Sequence, residues 1–136
     1  MMYPTKTALI LIDDLAAWLK VNISAFLTGG LMHGYPDMAG EPYRDNDDNF
    51  YLAMIREPVF VYGADALTIR RTYERARSRG MAFSIYTRPL FATSNDADNR
   101  ASVAATPAAE LDIVGLGLHG ERKLIDKVVN GLRFLA

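Results

Sequence analysis

Thr7-Ala8-Leu9-Ile10-Leu11-Ile12 is an uninterrupted apolar run between Lys6 and the acidic pair Asp13-Asp14. A short run that is apolar at every position predicts a strand buried on both faces, as in the centre of a sheet. Directly afterwards, over 16–31, Leu19, Ile23, Phe26 and Leu27 recur at helical spacing, which predicts a helix that turns this face to the core and stops at Gly29-Gly30. The chain is therefore expected to open with a buried strand followed by a helix.

The rest of the chain continues this alternation. Strands are expected over 59–62, 82–87 and 112–118, and helices over 66–79, 94–103 and 121–134. A polar turn, Asp45-Asn46-Asp47-Asp48, predicts a hairpin inserted at about 40–54. Strands alternating with helices predict a three-layer α/β/α fold with helices on both faces of the sheet, as a single domain over 1–136.

Composition and charge exclude several classes of function. The chain has 136 residues and no cysteine, so disulfides, thiolate catalysis, zinc ribbons and iron–sulfur clusters are ruled out. A net charge of −1 provides no global basic field for nucleic acid. No apolar run reaches the ~18 residues of a membrane span, and the first residues do not resemble a signal peptide. A cytoplasmic protein that does not bind membranes is expected, with no metal or cofactor.

Gly115-Leu116-Gly117-Leu118-His119-Gly120 is a literal G-x-G-x-x-G between an expected strand and the last expected helix. Only 16 residues follow Gly120, so no second parallel strand can complete a dinucleotide-binding unit. Tight packing of the strand against a helix is the preferred interpretation, and anion binding at the N-terminus of the last helix is the alternative. His119 is expected at the surface, or as a polar lid on a crevice.

Polar residues cluster where the expected parallel strands end. In α/β sheets, ligands bind in the crevice beyond the carboxyl ends of the strands. We therefore hypothesise a crevice that binds or acts on a small-molecule or nucleotide-related ligand. Asp14 and Lys20 are the candidate catalytic pair, because a carboxylate can tune a nearby lysine or position a water molecule. The candidate ligand-binding residues are Asp13, Trp18, Asn22, Thr87, Arg88 and His119.

Three polar features of the sequence have simple structural interpretations as well as functional ones. Asp13 or Asp14 is a candidate N-cap for the first helix. The segment 45–49 has the oxygen spacing of a calcium loop, but Phe50 and Arg56 stand where glycine and glutamate are required, which favours a plain hairpin turn. The expected helix over 66–79 carries five arginines, and a solvated face is favoured over a phosphate-binding one.

The string 113–120, followed by Leu124-Ile125-Asp126-Lys127-Val128, resembles the end of the type II peptidyl-tRNA hydrolase family. Ala8-Leu9-Ile10-Leu11-Ile12-Asp13-Asp14-Leu15 is similar to the first strand of that family and its Asp-Leu. The resemblance covers most of the chain outside 32–57 and 88–108. It implies a mixed, mainly four-stranded central sheet and a homodimer, in a bacterial branch of that superfamily.

The chain departs from the family pattern at the positions that bear on activity. Lys20 is the one lysine that remains after the first strand, and Thr87-Arg88-Pro89 stands where the family has Asp-Ala-Gly-Arg-Thr. If the protein is an enzyme, a hydrolase is the first expectation. Hydrolysis of peptidyl-tRNA or another RNA-linked ester is the alternative function, with RNA not favoured as a partner. A non-catalytic dimeric interaction domain is the second alternative.

Overall fold

The computed structural model describes residues 2–136, which form a five-stranded mixed sheet, four α-helices and a separate two-stranded hairpin. In chain order the elements are β1 (Thr5–Ile12), α1 (Ala17–Gly34), β2 (Tyr43–Arg44), β3 (Phe50–Tyr51), β4 (Val59–Ala64), α2 (Ala66–Ser78), β5 (Ser84–Thr87), α3 (Asp96–Ala104), β6 (Ile113–Glu121), α4 (Arg122–Val128) and β7 (Arg133–Phe134). Short 3-10 turns lie at Pro36–Met38, Arg88–Ala92 and Ala108–Glu110. No helix in the described part of the chain has the length and apolar character needed to cross a membrane.

The strand order in the large sheet is β5-β6-β1-β4-β7. β1 and β4 run parallel, whereas β6 is antiparallel to both β1 and β5. The prediction of four strands is wrong, because β7 adds a fifth strand, antiparallel to β4. Those residues were assigned to the last helix, but α4 ends at Val128. Gly131 then takes a left-handed φ of 86°, and the chain turns so that the Leu135 N–H donates to the Val61 carbonyl at 3.0 Å.

β1 is the buried central strand that its apolar run predicts, and its residues 6–12 are at most 9% exposed. Its side chains alternate between two core clusters, as the two-residue period of a strand requires. Leu9 and Leu11 pack with the buried face of α1, and Ala8 and Ile10 pack with α2 and α4. The helices contribute Ile23, Leu27 and Leu31 to the first cluster, and Ile69, Tyr73, Ala76, Ile125 and Val128 to the second.

The glycines of β6 allow α1 to lie very close to the sheet. A Cβ on Gly115 would lie 2.6 Å from Ile23 Cγ2, and a Cβ on Gly117 would lie 3.1 Å from Leu31 Cδ1. The first approach is shorter than real Cβ contacts, and the second is tighter than nine in ten of them, so β6 needs glycine here for α1 to lie this close. The tight-packing interpretation of the G-x-G-x-x-G string is therefore confirmed.

α1 differs from its prediction at both ends. It passes through Gly29-Gly30 without stopping and ends at Gly34. Its N-cap is Ala16, which forms no side-chain cap. The capping interpretation of Asp13 and Asp14 is therefore wrong, because the helix begins too late for either carboxylate to reach its first N–H groups.

Candidate ligand-binding site

Two open cavities border the first turns of α1 at the carboxyl end of the sheet. The first, called the polar crevice, has a volume of about 520 Å3, and its lining includes Asp13, Lys20, Gly63, Asp65, Thr68 and Arg133. The second, called the aromatic groove, has a volume of about 580 Å3, and its lining includes Trp18, Asn22, Phe26, Tyr86, Phe91 and Ser94. The residues predicted for one site are therefore divided between two.

Asp13 lies at the edge of the sheet where β1 and β4 both end. Its backbone N–H donates to the carbonyl of Ala64 at 2.9 Å, which holds the residue over β4. Its carboxylate lies so close to Gly63 that a Cβ there would collide with Asp13 Oδ1. Within residues 2–136 the Asp13 carboxylate forms no ion pair. The fold thus makes room for this carboxylate but does not bind it.

Lys20 and Arg133 bring positive charge to the same crevice from α1 and β7. Neither cation is in an ion pair with another described residue. The second carboxylate of the crevice is already engaged, because Asp65 caps α2 by accepting a hydrogen bond from the Thr68 N–H at 2.8 Å. Hydrogen bonding to Thr68 holds the pKa of Asp65 below its ordinary value. The free charges of the crevice are therefore one carboxylate and two cations.

The aromatic groove lies on the other side of the α1 N-terminus. Trp18, Asn22 and Phe26 are spaced four residues apart, so they share one face of the helix. Phe26 was predicted to point into the core, but it is 55% exposed and meets the Tyr86 ring edge-on at a centroid distance of 5.7 Å. The centroid of the Phe91 ring lies 5.4 Å from that of Tyr86. Three aromatic rings thus form a continuous wall.

Four of the predicted site residues lie in neither cavity. Asp14 is exposed beside the crevice, and Thr87 is buried within β5. Arg88 forms an ion pair with Asp112, with 3.1 Å between Nε and Oδ2. His119 lies at the other end of β1, next to Thr7.

His119 belongs to a buried polar cluster at the amino end of the parallel strands. Its Nδ1 lies 2.8 Å from Thr7 Oγ1, and the Thr7 hydroxyl donates to Glu57 Oε1 at 2.9 Å. Thr5 donates to the other oxygen of Glu57 at 2.7 Å. Because the Thr7 proton goes to Glu57, the histidine has to donate from Nδ1 to Thr7. The expectation of a surface histidine or crevice lid is therefore wrong.

The environment of His119 favours its neutral form. Burial lowers the pKa of this imidazole, the nearby Glu57 carboxylate opposes the change, and Arg56 adds to it. The net direction is below the ordinary value, so the ring is uncharged at neutral pH. Within residues 2–136 no three His, Asp or Glu side chains lie together as ligands for a metal ion.

The arginines of α2 are mostly engaged with the protein itself. They cap carbonyl groups and pair with a glutamate: Arg70 donates to Leu111, Arg75 to Asn130 and Arg79 to Arg75, and Arg77 pairs with Glu74. Arg71 is the exception, since none of these contacts involves it. Little of this face therefore remains available for phosphate groups, contrary to what a ribose–phosphate partner would need.

The hairpin lies away from both cavities. Asp45 accepts hydrogen bonds from the N–H groups of Asp47 and Asn49, and the bonds with Asn49 and Tyr51 lower the pKa of Asp45 to about 2. The sequence 45–49 is thus a turn. Five large side chains of the hairpin are exposed, namely Tyr43, Phe50, Tyr51, Leu52 and Met54.

Sequence reasoning missed Arg133, Tyr86 and Phe91 as cavity residues and Glu57 as the partner of His119. Gly131 was the available signal for Arg133, because a glycine typically ends a helix and the residues after it then belong to another element. For the other three, the sequence carries no signal. Tyr86 meets Phe26, and Glu57 meets His119, only after elements far apart in the chain have packed together.

A family described as a protein of unknown function, DUF2000, matches residues 5–136. A search of curated proteins finds no match. Among solved structures, a protein of unknown function from Agrobacterium tumefaciens strain C58 is 36% identical, with a TM-score of 0.95. The alignment covers 99% of this chain and 100% of that one. Neither comparison shows the resemblance to peptidyl-tRNA hydrolases. The chain belongs to the DUF2000 family.

Proposed function

We propose that the protein binds a small anionic ligand in the polar crevice. Lys20 and Arg133 would bind the anionic group, and Asp13 would accept hydrogen bonds from hydroxyl or amino groups of the same ligand. The observation that carries this proposal is that Asp13 and Lys20 face one crevice, and neither is in an ion pair within residues 2–136. A nucleotide-related ligand has the required combination of phosphate and sugar hydroxyls.

The placement of these charges supports a ligand site better than a structural role. Partly exposed charges of opposite sign pair readily when the fold brings them together for stability. Here Asp65 is engaged in a cap and Asp13 is not, although both lie at the same edge of the sheet. Hydrogen bonds that involve an ionised group are about twice as strong as neutral ones, which suits recognition of a small charged molecule.

The same residues would serve a hydrolase. Asp13, rather than the exposed Asp14, is the carboxylate inside the crevice that would accept a proton from an attacking water, and Lys20 would stabilise the resulting oxyanion. One core cluster contains residues of α1 and the other contains residues of α2 and α4, and alternate residues of β1 belong to each. This division supports a three-layer α/β/α arrangement like that of the type II peptidyl-tRNA hydrolases. The cytoplasmic location belongs to this proposal as well.

The test compares melting temperatures with and without adenosine monophosphate and inorganic phosphate. We expect both probes to raise the melting temperature of the wild type, and Lys20→Met to abolish the increase. Lys123→Met is the matched control, since Lys123 is an exposed lysine on α4, and it should respond like the wild type. An unchanged response of Lys20→Met, or no response of the wild type to either probe, would refute the proposal.

A second candidate function is hydrolysis of an RNA-linked ester. The observation in its favour is that Lys20 faces the crevice. This residue matches a lysine in the pattern of the type II peptidyl-tRNA hydrolases. Purified wild type and Lys20→Ala should then differ in deacylation of an N-blocked aminoacyl-tRNA. If both fold and neither releases the acyl group, this candidate is excluded while anion binding stands.

A third candidate is a dimeric interaction domain without catalysis. The exposed side chains of the hairpin favour it, because contiguous apolar patches on a protein surface often mark interfaces. The molar mass in solution tests this directly. A dimer that becomes a monomer in the double variant Phe50→Ser, Leu52→Ser supports it, and a monomeric wild type excludes it.

A further inference from the structure

We infer that the aromatic groove is a second, separate site, which takes an uncharged planar heteroaromatic ring such as a nucleobase. Its defining feature is a largely buried tyrosine, Tyr86, which lines the groove among aromatic side chains. The inference does not depend on ligand binding in the polar crevice, because the two cavities share none of the residues that carry either argument.

The Tyr86 side chain carries the argument. It is 5% exposed, and yet it lines the groove. Its Oη has no hydrogen-bond partner among residues 2–136. This atom nevertheless remains accessible to solvent. Burial raises the pKa of this phenol, so at neutral pH it keeps its proton and is able to donate. A buried tyrosine normally has a partner for its hydroxyl; residues 2–136 supply none, and the edge of a ring bound in the groove would supply one in place of water.

The walls of the groove suit a flat ring. Phe26 and Phe91 flank Tyr86 at centroid distances of 5.7 and 5.4 Å, and Trp18 is 69% exposed at the rim. Any flat heterocycle can stack on aromatic side chains, because stacking depends little on which heterocycle it is. The volume of about 580 Å3 lies within the range of small-molecule sites and exceeds what a single aromatic ring needs.

The polar groups of the groove suit a ring edge with donors and acceptors. Asn22 lies between Trp18 and Phe26 on the same helix face, and Ser94 also lines the groove. Carboxamides read the edges of bases because they offer a donor and an acceptor side by side. The one acidic residue of the lining, Asp96, is paired with Arg100. No other charged residue lines the groove, which favours a neutral ring over an ion.

An apolar protein surface would fit this groove less well than a heteroaromatic ring does. Apolar side chains of a partner packed against Trp18 and Phe26 would cover the Tyr86 hydroxyl and the Asn22 amide without offering either a hydrogen-bond partner. Covering unpaired polar groups in this way is costly. A ring with nitrogen and oxygen atoms at its edge covers the same aromatic surface and also satisfies these groups.

The sole tryptophan of the chain provides the readout, since its indole N–H gives one NMR signal. We would titrate adenosine and guanosine into the protein, with D-ribose as the ring-free control. The expected result is a saturable shift of the Trp18 signal with the nucleosides and none with ribose. Tyr86→Phe, which keeps the ring and removes the hydroxyl, should weaken nucleoside binding about tenfold.

Tyr73→Phe is the matched control. It removes a buried hydroxyl that already has a partner, the Ala108 carbonyl at 3.1 Å, and it lies outside the groove. Its nucleoside affinity should equal that of the wild type. The inference is overturned if no nucleoside shifts the Trp18 signal at millimolar concentration, or if Tyr86→Phe binds as tightly as the wild type. A Trp18 signal that moves only with protein concentration would show that a second copy covers the groove, and would overturn it too.

Discussion

The two ends of the parallel strands use their polar residues in opposite ways. At the amino end, Thr5, Thr7, Glu57 and His119 bind one another and are largely buried. At the carboxyl end, Asp13, Lys20 and Arg133 face an open crevice and form no ion pairs within residues 2–136. Polar groups that satisfy each other stabilise the fold, whereas groups left free at a cavity are available to a ligand. We therefore expect the amino end to stabilise the fold, and the carboxyl end is the proposed binding site.

The largest effect should come from removing the acceptor at the amino end. Glu57→Ala deprives both threonine hydroxyls of their partner, and hydrogen bonds to an ionised group contribute more than neutral ones. We expect the free energy of unfolding in urea to fall by about 3 kcal/mol. Glu41→Ala, on the exposed hairpin, should change it by less than about 0.5 kcal/mol. Similar values for the two variants would remove the basis of the comparison.

The position of α1 affects the shape of both cavities, because its first turns border them. Gly115→Ala would place a Cβ 2.6 Å from Ile23 Cγ2 and push the helix away from β6. Overpacking of this kind costs about 1–3 kcal/mol. Gly29→Ala, within α1 itself, is the control. Nothing lies within 4 Å of the new Cβ, so this substitution should stabilise the protein by about 0.5–1 kcal/mol. If Gly115→Ala is as stable as the wild type, the close approach does not limit packing.

A smaller, pH-dependent effect should arise at His119. Its pKa in the folded protein is below the ordinary 6.5, so the unfolded chain binds more protons near and below that pH. The stabilisation is therefore complete above pH 6.5 and is lost as the pH falls through the lower folded value. Urea midpoints measured at a series of pH values should fall on acidification, and less so in His119→Gln. An equal fall in both proteins would place the acid sensitivity elsewhere.

Much of the fold follows from local patterns. The apolar run of β1 predicts its central place, and the spacing of Ile69, Tyr73 and Ala76 predicts the buried face of α2. The predicted end of that helix is also right, since Gly80 has a left-handed φ of 64° directly after the cap. These features depend on neighbours within a few residues, which a sequence displays directly.

The errors arise where distant contacts override local patterns. The strand β7 forms because it pairs with β4, and its two residues carry no strand signal of their own. Phe26 matched the inward face of α1 by spacing, but Gly115 and Gly117 draw Ile23, Leu27 and Leu31 onto the sheet and leave Phe26 outside. His119 follows the predicted strand 112–118, whereas β6 continues to Glu121 and places this residue beside Thr7.

The location of the candidate site could be predicted from the sequence, but the residues that line it could not. The rule that ligands bind beyond the carboxyl ends of parallel strands brings Asp13 and Lys20 to one crevice. It does not indicate that Trp18 and Asn22 face another cavity on the same helix. That division depends on how α1 is rotated about its axis, which the close contact with β6 determines.

The smallest stability effects, and the most direct test, concern the carboxyl end. We would measure the urea unfolding of wild type, Asp13→Asn and Lys20→Met, together with the increase in melting temperature that adenosine monophosphate causes in each. We expect unfolding free energies within about 0.5 kcal/mol of the wild type, because neither charge is paired, and a lost or strongly reduced ligand response. A full ligand response in both variants, or a stability loss above about 1 kcal/mol, would contradict the assignment of binding to this end.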